Sequence, residues 1–320
     1  MSKAFIILDT DIGTDCDDAG ALAMLHTLCE TGEAELLACT HSTALKYGAA
    51  CIDIINTLCG AAGIPVGVNA NHTFSSHGEQ YDIYATQLAT HYGMLHKSYD
   101  TYHKAVPVMR QALSSADDGS VTMVGIGQMC NFADLLTCGP DEFSPLSGYE
   151  LVKKKVKELV LMAGFFDFSQ CEKYSKNLNP GGSEYNIYQH IESARYVTEN
   201  WPTPIVFSGL EIGYKIMCGT PLSNLNDRNG SALRLAFEHF GGLRHAWDQT
   251  AVLYAVRGAG DYWNLSEPGK ISVNNEGYTS YESDGRHRYL MKKQPSGEIA
   301  EMIDQLMMFS ILKQREGVTA

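Results

Sequence analysis

Short apolar runs alternate with stretches of helical spacing from the first residues onward, a pattern that predicts repeated strand-and-helix units and a mostly parallel sheet. Ala4 to Leu8 reads as a buried strand, residues 9 to 18 as a loop rich in Asp and Gly, and Ala19 to Cys29 as an apolar helix that Gly32 ends. Glu35 to Thr40 reads as a second strand, Ala44 to Cys59 as a helix, and Ile64 to Val68 as a short strand. Helical spacing returns over Tyr81 to Tyr92 and Val106 to Ser115. Ser120 to Ile126, Glu158 to Ala163 and Pro204 to Phe207 are further buried strands, with a turn at 127–131 leading into a helix through Leu136. Lys270 to Asn274, Tyr278 to Glu282 and Arg288 to Met291 read as short strands, and Ser296 to Leu312 as a closing helix. The expected fold is therefore α/β, an open, mostly parallel sheet flanked by helices, in a single domain over 1–320. Residues 164–186, rich in Asn, Gly, Ser and aromatics, are long enough to suggest a functional loop.

Composition narrows the function classes. With 44% apolar residues in 320, the chain can bury a large core. Its formal charge of −13 repels a phosphate backbone and an anionic membrane surface alike, so neither nucleic acid nor membrane is an expected partner. The start turns polar at Asp9, too soon for the apolar stretch of a signal peptide, and a cytoplasmic location is expected. Nine cysteines without a Cys-x-x-Cys spacing read as reduced core residues. Cys130 occupies the third glycine position of the Gly-x-Gly pattern begun by Gly125 and Gly127, which argues against a dinucleotide site.

The strongest chemical signal lies in the first loop, where Asp9, Asp11, Asp15, Asp17 and Asp18 fall within ten positions between a strand and a helix. Such crowding is repulsive unless a cation offsets it, and hard divalent ions favour carboxylate oxygen. The end of a parallel strand is also where open α/β sheets bind ligands. Helix capping accounts for one or two of these aspartates but not five. The EF-hand pattern fails, because the loop lacks its central glycine and its twelfth-position Glu.

Two enzyme families share parts of this loop. Asp9-Thr10-Asp11 resembles the first motif of haloacid-dehalogenase-type phosphatases, with Asp9 as nucleophile and Asp11 as acid/base, but leaves Asp15 to Asp18 unexplained. The whole stretch, followed by Ala19-Gly20-Ala21-Leu22, more closely resembles the calcium-binding signature of the nucleoside hydrolases, the inosine/uridine-preferring family. Three further elements follow in the family's order: Gly127-Gln128-Met129-Cys130-Asn131, Glu184-Tyr185-Asn186 and Trp247-Asp248-Gln249-Thr250.

The resemblance implies that Asp11, Asp18, Asp248 and the backbone carbonyl of Cys130 bind Ca2+, with Asp11 also serving as general base toward a water. It further implies that Asp17, Glu184, Asn186 and Asn179 or Asn177 hold the sugar, and that the protein is a dimer or tetramer. Asp9 would support the loop. The loop is two residues longer than the shortest family pattern, which makes Asp15 an addition. The Asn that many members carry after the second strand is replaced by His41-Ser42-Thr43.

Breaking an N-ribosidic bond requires stabilised cationic character on the sugar, a delivered water and help for the departing base. Many family members place a general-acid His immediately before the late Asp. Trp247 stands there instead and resembles the purine-preferring subgroup, so hydrolysis of purine nucleosides is expected. His245 is a candidate replacement acid, although a lone His is more simply structural. Tyr81, Tyr84 and Phe74 offer a second stacking wall, against the plainer reading of core aromatics. A nucleoside-binding protein without turnover is the reading that dispenses with the acid altogether.

Overall fold

In a computed structural model, the described residues are 3–71, 82–224 and 231–317. Among the described residues thirteen strands follow in chain order: β1 (Ala4–Thr10), β2 (Ala34–His41), β3 (Val66–Val68), β4 (His103–Lys104), β5 (Val121–Gly125), β6 (Val156–Met162) and β7 (Ile205–Ser208) come first. They are followed by β8 (Met217–Cys218), β9 (Arg244–His245), β10 (Trp263–Leu265), β11 (Gly269–Val273), β12 (Thr279–Ser283) and β13 (Arg288–Lys292). Nine of them form one sheet in the order β10-β13-β7-β6-β5-β1-β2-β3-β4. Every neighbouring pair is parallel except β10 with β13, as the run of unbroken apolar strands implied.

Alternate residues of each central strand feed opposite faces of the sheet. Ile6, Leu8, Val124 and Val160 join one buried cluster, while Ile7, Met123, Leu159 and Leu161 join the other. The first cluster encloses the helix Asp17–Glu30, whose residues 17–28 are all buried because the helices Trp247–Arg257 and Ser296–Gly317 pack against it. A helix covered on several sides has no polar face, which is why its sequence reads as apolar throughout.

Several boundaries differ from expectation. The first helix begins at Asp17 rather than Ala19, because a carboxylate at the exposed N–H groups of the first turn is favoured over an extended loop. The helix expected over 81–92 spans Ala85–His91 among the described residues, and Tyr81 itself lies outside them. The helices Gly148–Lys155, Ile191–Asn200 and Ala232–Glu238 carry no clear expectation from sequence. Of the three late strands, only β13 joins the main sheet, beside β7, while β11 and β12 form a separate hairpin.

Strand order reverses between β1 and β5: β2 to β4 extend the sheet one way and β6 and β7 the other. At that reversal the loops leaving β1 and β5 diverge and open a crevice. Asp9 pairs with Gly125 in the register, so Asp11 and Ile126 stand at the lip of the crevice from its two sides. No helix among the described residues is long and apolar enough to cross a membrane.

Candidate functional site

A cavity of about 270 Å³ fills this crevice. Its floor is acidic: Asp11, Asp15, Asp17 and Asp18 come from the loop and helix after β1, and Asp248 from the start of the helix after β9. Carboxylate oxygens of Asp17, Asp18 and Asp248 lie within 4.8 Å of one another, and all three residues are buried. Two helix N-termini meet here, since Asp17 and Asp18 occupy the first turn of one helix and Asp248 that of another. Their partial positive charges offset some of the repulsion. The Asp248 backbone N–H donates to Asp17 Oδ2 at 3.3 Å, tying the two termini together.

The remaining repulsion appears in the carboxyls. Burial, and then the charge of neighbouring aspartates, pushes Asp17, Asp18 and Asp248 well above the usual carboxylate range. Asp11 is pushed up to about 7, chiefly by burial and with Asp15 adding to it. Thr10 Oγ1 donates to Asp18 Oδ1 and fixes its direction. A cluster of hard oxygen donors, desolvated and with far more negative than positive charge around it, fits a divalent cation of the calcium or magnesium type.

The loop is braced from behind. Ring nitrogens of the buried His41 lie 2.9 Å from the carbonyl oxygens of Ile12 and Thr43, so His41 holds the loop from behind. Tyr84 donates to the Asp15 carbonyl at 2.7 Å and accepts from the Gly13 N–H at 3.1 Å, a supporting role distinct from a stacking wall. Phe74, the third aromatic of that expected wall, lies outside the described residues, as Tyr81 does. Gly127 is required by close approach: a Cβ there would sit 2.8 Å from the Asp11 backbone nitrogen.

Opposite the floor, Glu184 and Asn186 reach the cavity from the end of the 164–186 segment. Glu184 Oε1 accepts from the Asn186 N–H at 2.9 Å, while Oε2 accepts from Gly164 at 3.2 Å and Ile187 at 3.3 Å. Burial nonetheless pushes its carboxyl up to about 7. Asn186 Nδ2 donates to the Met162 carbonyl at 3.0 Å, which turns its amide oxygen to the other side. Asn177 lines the cavity, whereas Asn179 is directed to the Ser183 carbonyl, with Nδ2 at 3.4 Å.

The third side is aromatic. Trp247 lines it half-buried, its Nε1 donating to the Leu210 carbonyl at 2.9 Å. Gly213 packs so closely behind that a Cβ would lie 2.4 Å from the Trp247 Cα. His245 stacks on Tyr214 at 5.1 Å and accepts from the Lys215 N–H through Nδ1, outside the cavity lining, so it backs Trp247 instead of facing the cavity.

Two further expected residues stand off the cavity. Cys130 begins a helix, buried, with Sγ toward Gln128 Oε1 at 3.6 Å, and from its turn Ile126 is the residue that reaches the cavity. Asp9 is fully buried, with Oδ1 accepting from Thr40 and from Asn131 Nδ2 at 2.7 Å. It does not line the cavity, a placement unsuited to a nucleophile. Arg244, Phe240 and Ile83 line it without any local sequence signal having singled them out.

A family model described as inosine-uridine preferring nucleoside hydrolase matches residues 6–310. Among solved structures, the chain is similar to a purine-preferring ribonucleoside hydrolase from Gardnerella vaginalis, at 17% identity and a TM-score of 0.63, covering 97% of this chain and 98% of that one. An inosine-uridine preferring nucleoside hydrolase from Bacillus anthracis aligns at 16% identity and a TM-score of 0.63, covering 96% and 99%. The type III effector protein XopQ, complexed with adenosine diphosphate ribose, aligns at 14% identity and a TM-score of 0.71, covering 96% and 94%. No curated protein matches the chain.

Proposed function

Because this chain belongs to the inosine-uridine preferring nucleoside hydrolase family, we propose that it hydrolyses the N-glycosidic bond of ribonucleosides, purine nucleosides before pyrimidine ones, with Ca2+ as its cofactor. The observation that carries this reading is the convergence of four distant segments on one cavity: the Asp11 to Asp18 loop, Ile126 with its turn, Glu184 with Asn186, and Trp247 with Asp248.

The donor set fits the cation. Asp17, Asp18 and Asp248 offer clustered carboxylate oxygens, with Asp11 beside them on the cavity, and all four are destabilised as charged groups without one. A divalent cation there supplies neutralising charge, orientation of sugar hydroxyls and a lowered pKa for water. In this reading Asp11 accepts a proton from the attacking water. Asp17, Glu184, Asn186 and Asn177 hold the ribose hydroxyls, and the carboxylate floor favours the positive charge that develops on the sugar. Trp247 stacks on the base, a sequence-tolerant contact that gains with the larger purine surface.

The test incubates the purified protein, with calcium and after chelation, with inosine, guanosine, adenosine, uridine and a phosphomonoester. Base, ribose and phosphate release are each measured. Calcium-dependent release of base and ribose, fastest for purines, is the expected result. Phosphate release without base release contradicts it. Nucleoside affinity without turnover would instead make the chain a binding protein.

A further inference from the structure

Arg244 is the only cationic side chain among the described residues lining the cavity. It extends from β9, which pairs with β8 so that Arg244 stands opposite Cys218. Its Nε lies 2.9 Å from both carboxylate oxygens of Asp15, and its Nη2 also donates to Asp15 Oδ2. Asp15 is itself fixed, its Oδ1 accepting from the Cys16 N–H at 2.7 Å. The guanidinium lies 5.1 Å from the Trp247 ring centroid and 4.9 Å from that of Phe240, both cavity walls.

Ion pair and rings together hold one orientation of a planar fork, and the bonds to Asp15 use Nε and Nη2 but not Nη1. The cavity thus has a carboxylate floor at one side and a fixed cation beside its aromatic wall. A group leaving toward that wall with an electron pair would meet the only positive charge there. A guanidinium does not give up its proton at working pH, so its contribution is charge and hydrogen bonding, not acid catalysis.

Resting on the hydrolase reading above, we infer that Arg244, positioned by Asp15, receives the departing base. The C1′–N bond breaks with its electron pair passing to the base nitrogen, and Arg244 donates a hydrogen bond to an acceptor on the base as negative charge gathers there. Water forms the new C1′–O bond and loses one proton to Asp11, and the released base takes a proton from solvent. Nucleoside plus water gives ribose plus base. Purines with a carbonyl oxygen on C6 beside N7 suit the fork best, since a guanidinium matches that pair of acceptors.

The experiment compares kcat/KM for inosine, whose base is a poor leaving group, with that for p-nitrophenyl riboside, whose phenolate needs no help. Arg244→Gln is expected to lower the inosine-to-p-nitrophenyl ratio about 100-fold, the scale of removing one preorganised charge-stabilising donor. Arg244→Lys, which keeps the charge but loses the fork, should give an intermediate ratio, and it also serves as the readout should the Gln variant not fold. An unchanged ratio in both variants, with both substrates falling together or neither falling, overturns the inference and leaves the hydrolase reading standing. A wild-type protein that hydrolyses neither substrate overturns both.

Discussion

The two sides of the cavity are built in opposite ways. The acidic floor draws four of its five carboxylates from eight consecutive residues, Asp11 to Asp18, and the fifth, Asp248, from a helix packed alongside. The aromatic wall takes Phe240, Arg244 and Trp247 from an equally short stretch, with Leu210 added from a distant turn, and its one cation is neutralised by a carboxylate 229 positions away. The floor is electrostatically unfinished without a cation, whereas the wall is already satisfied: Trp247 has its carbonyl acceptor and Arg244 its carboxylate. On this difference rests the proposed division of labour, sugar chemistry at the floor and recognition of the leaving group at the wall.

Breaking the floor should have the largest effect. Asp11→Asn removes the proposed general base while keeping shape, and should lower inosine turnover by about 10²- to 10⁴-fold, the usual worth of general-base catalysis, as read by ribose release. The wall comes next, with the Arg244 substitutions above as its charged half. Trp247→Ala should reduce the preference for inosine over uridine by about tenfold, given that one stacked base is worth about 1–3 kcal/mol, as read from the ratio of kcat/KM values.

A smaller effect concerns stability. Glu184 and Asp9 have carboxyls pushed up to about 7 by burial, above the values they hold when unfolded. Between those values the folded chain binds more protons than the unfolded one, so their contribution is fully present at acid pH and is lost as pH rises through 7. The calcium-free protein should therefore melt several degrees lower at pH 8 than at pH 5.5, and calcium should recover more of the melting temperature at pH 8. A melting temperature that rises across that interval would contradict the assignment. Smallest of all, Asp9→Asn should leave inosine turnover within a few-fold, because Asp9 lies behind the cavity. A collapse of activity with the fold intact would revive Asp9 as a nucleophile.

Much of the floor was legible because its information is local. A strand, a run of aspartates and an apolar helix are neighbours in sequence, and repulsion among the aspartates is itself a signal. The parallel sheet was legible for the same reason, since strands buried on both faces are apolar without interruption. Glu184 and Asn186 could be found only as a motif in order. The wall was not legible in this way, although Phe240, Arg244 and Trp247 are near neighbours in sequence: Arg244 looks like any surface arginine until the fold brings Asp15 beside it. The choice between Asn177 and Asn179 likewise depends on a bend at residues 180–182, which two successive glycines after Pro180 permit but do not specify. The helix start at Asp17 turned on a local competition between loop and first turn that composition alone does not decide.

The most direct test of this division of labour is a crystal structure of Asp11→Asn with calcium and inosine bound. The account predicts a cation against the carboxylates of Asp17, Asp18 and Asp248, ribose hydroxyls at Glu184 and Asn186, and the hypoxanthine ring on Trp247 with Arg244 at its edge. A base lying over the acidic floor, or a cation bound away from these carboxylates, would contradict it.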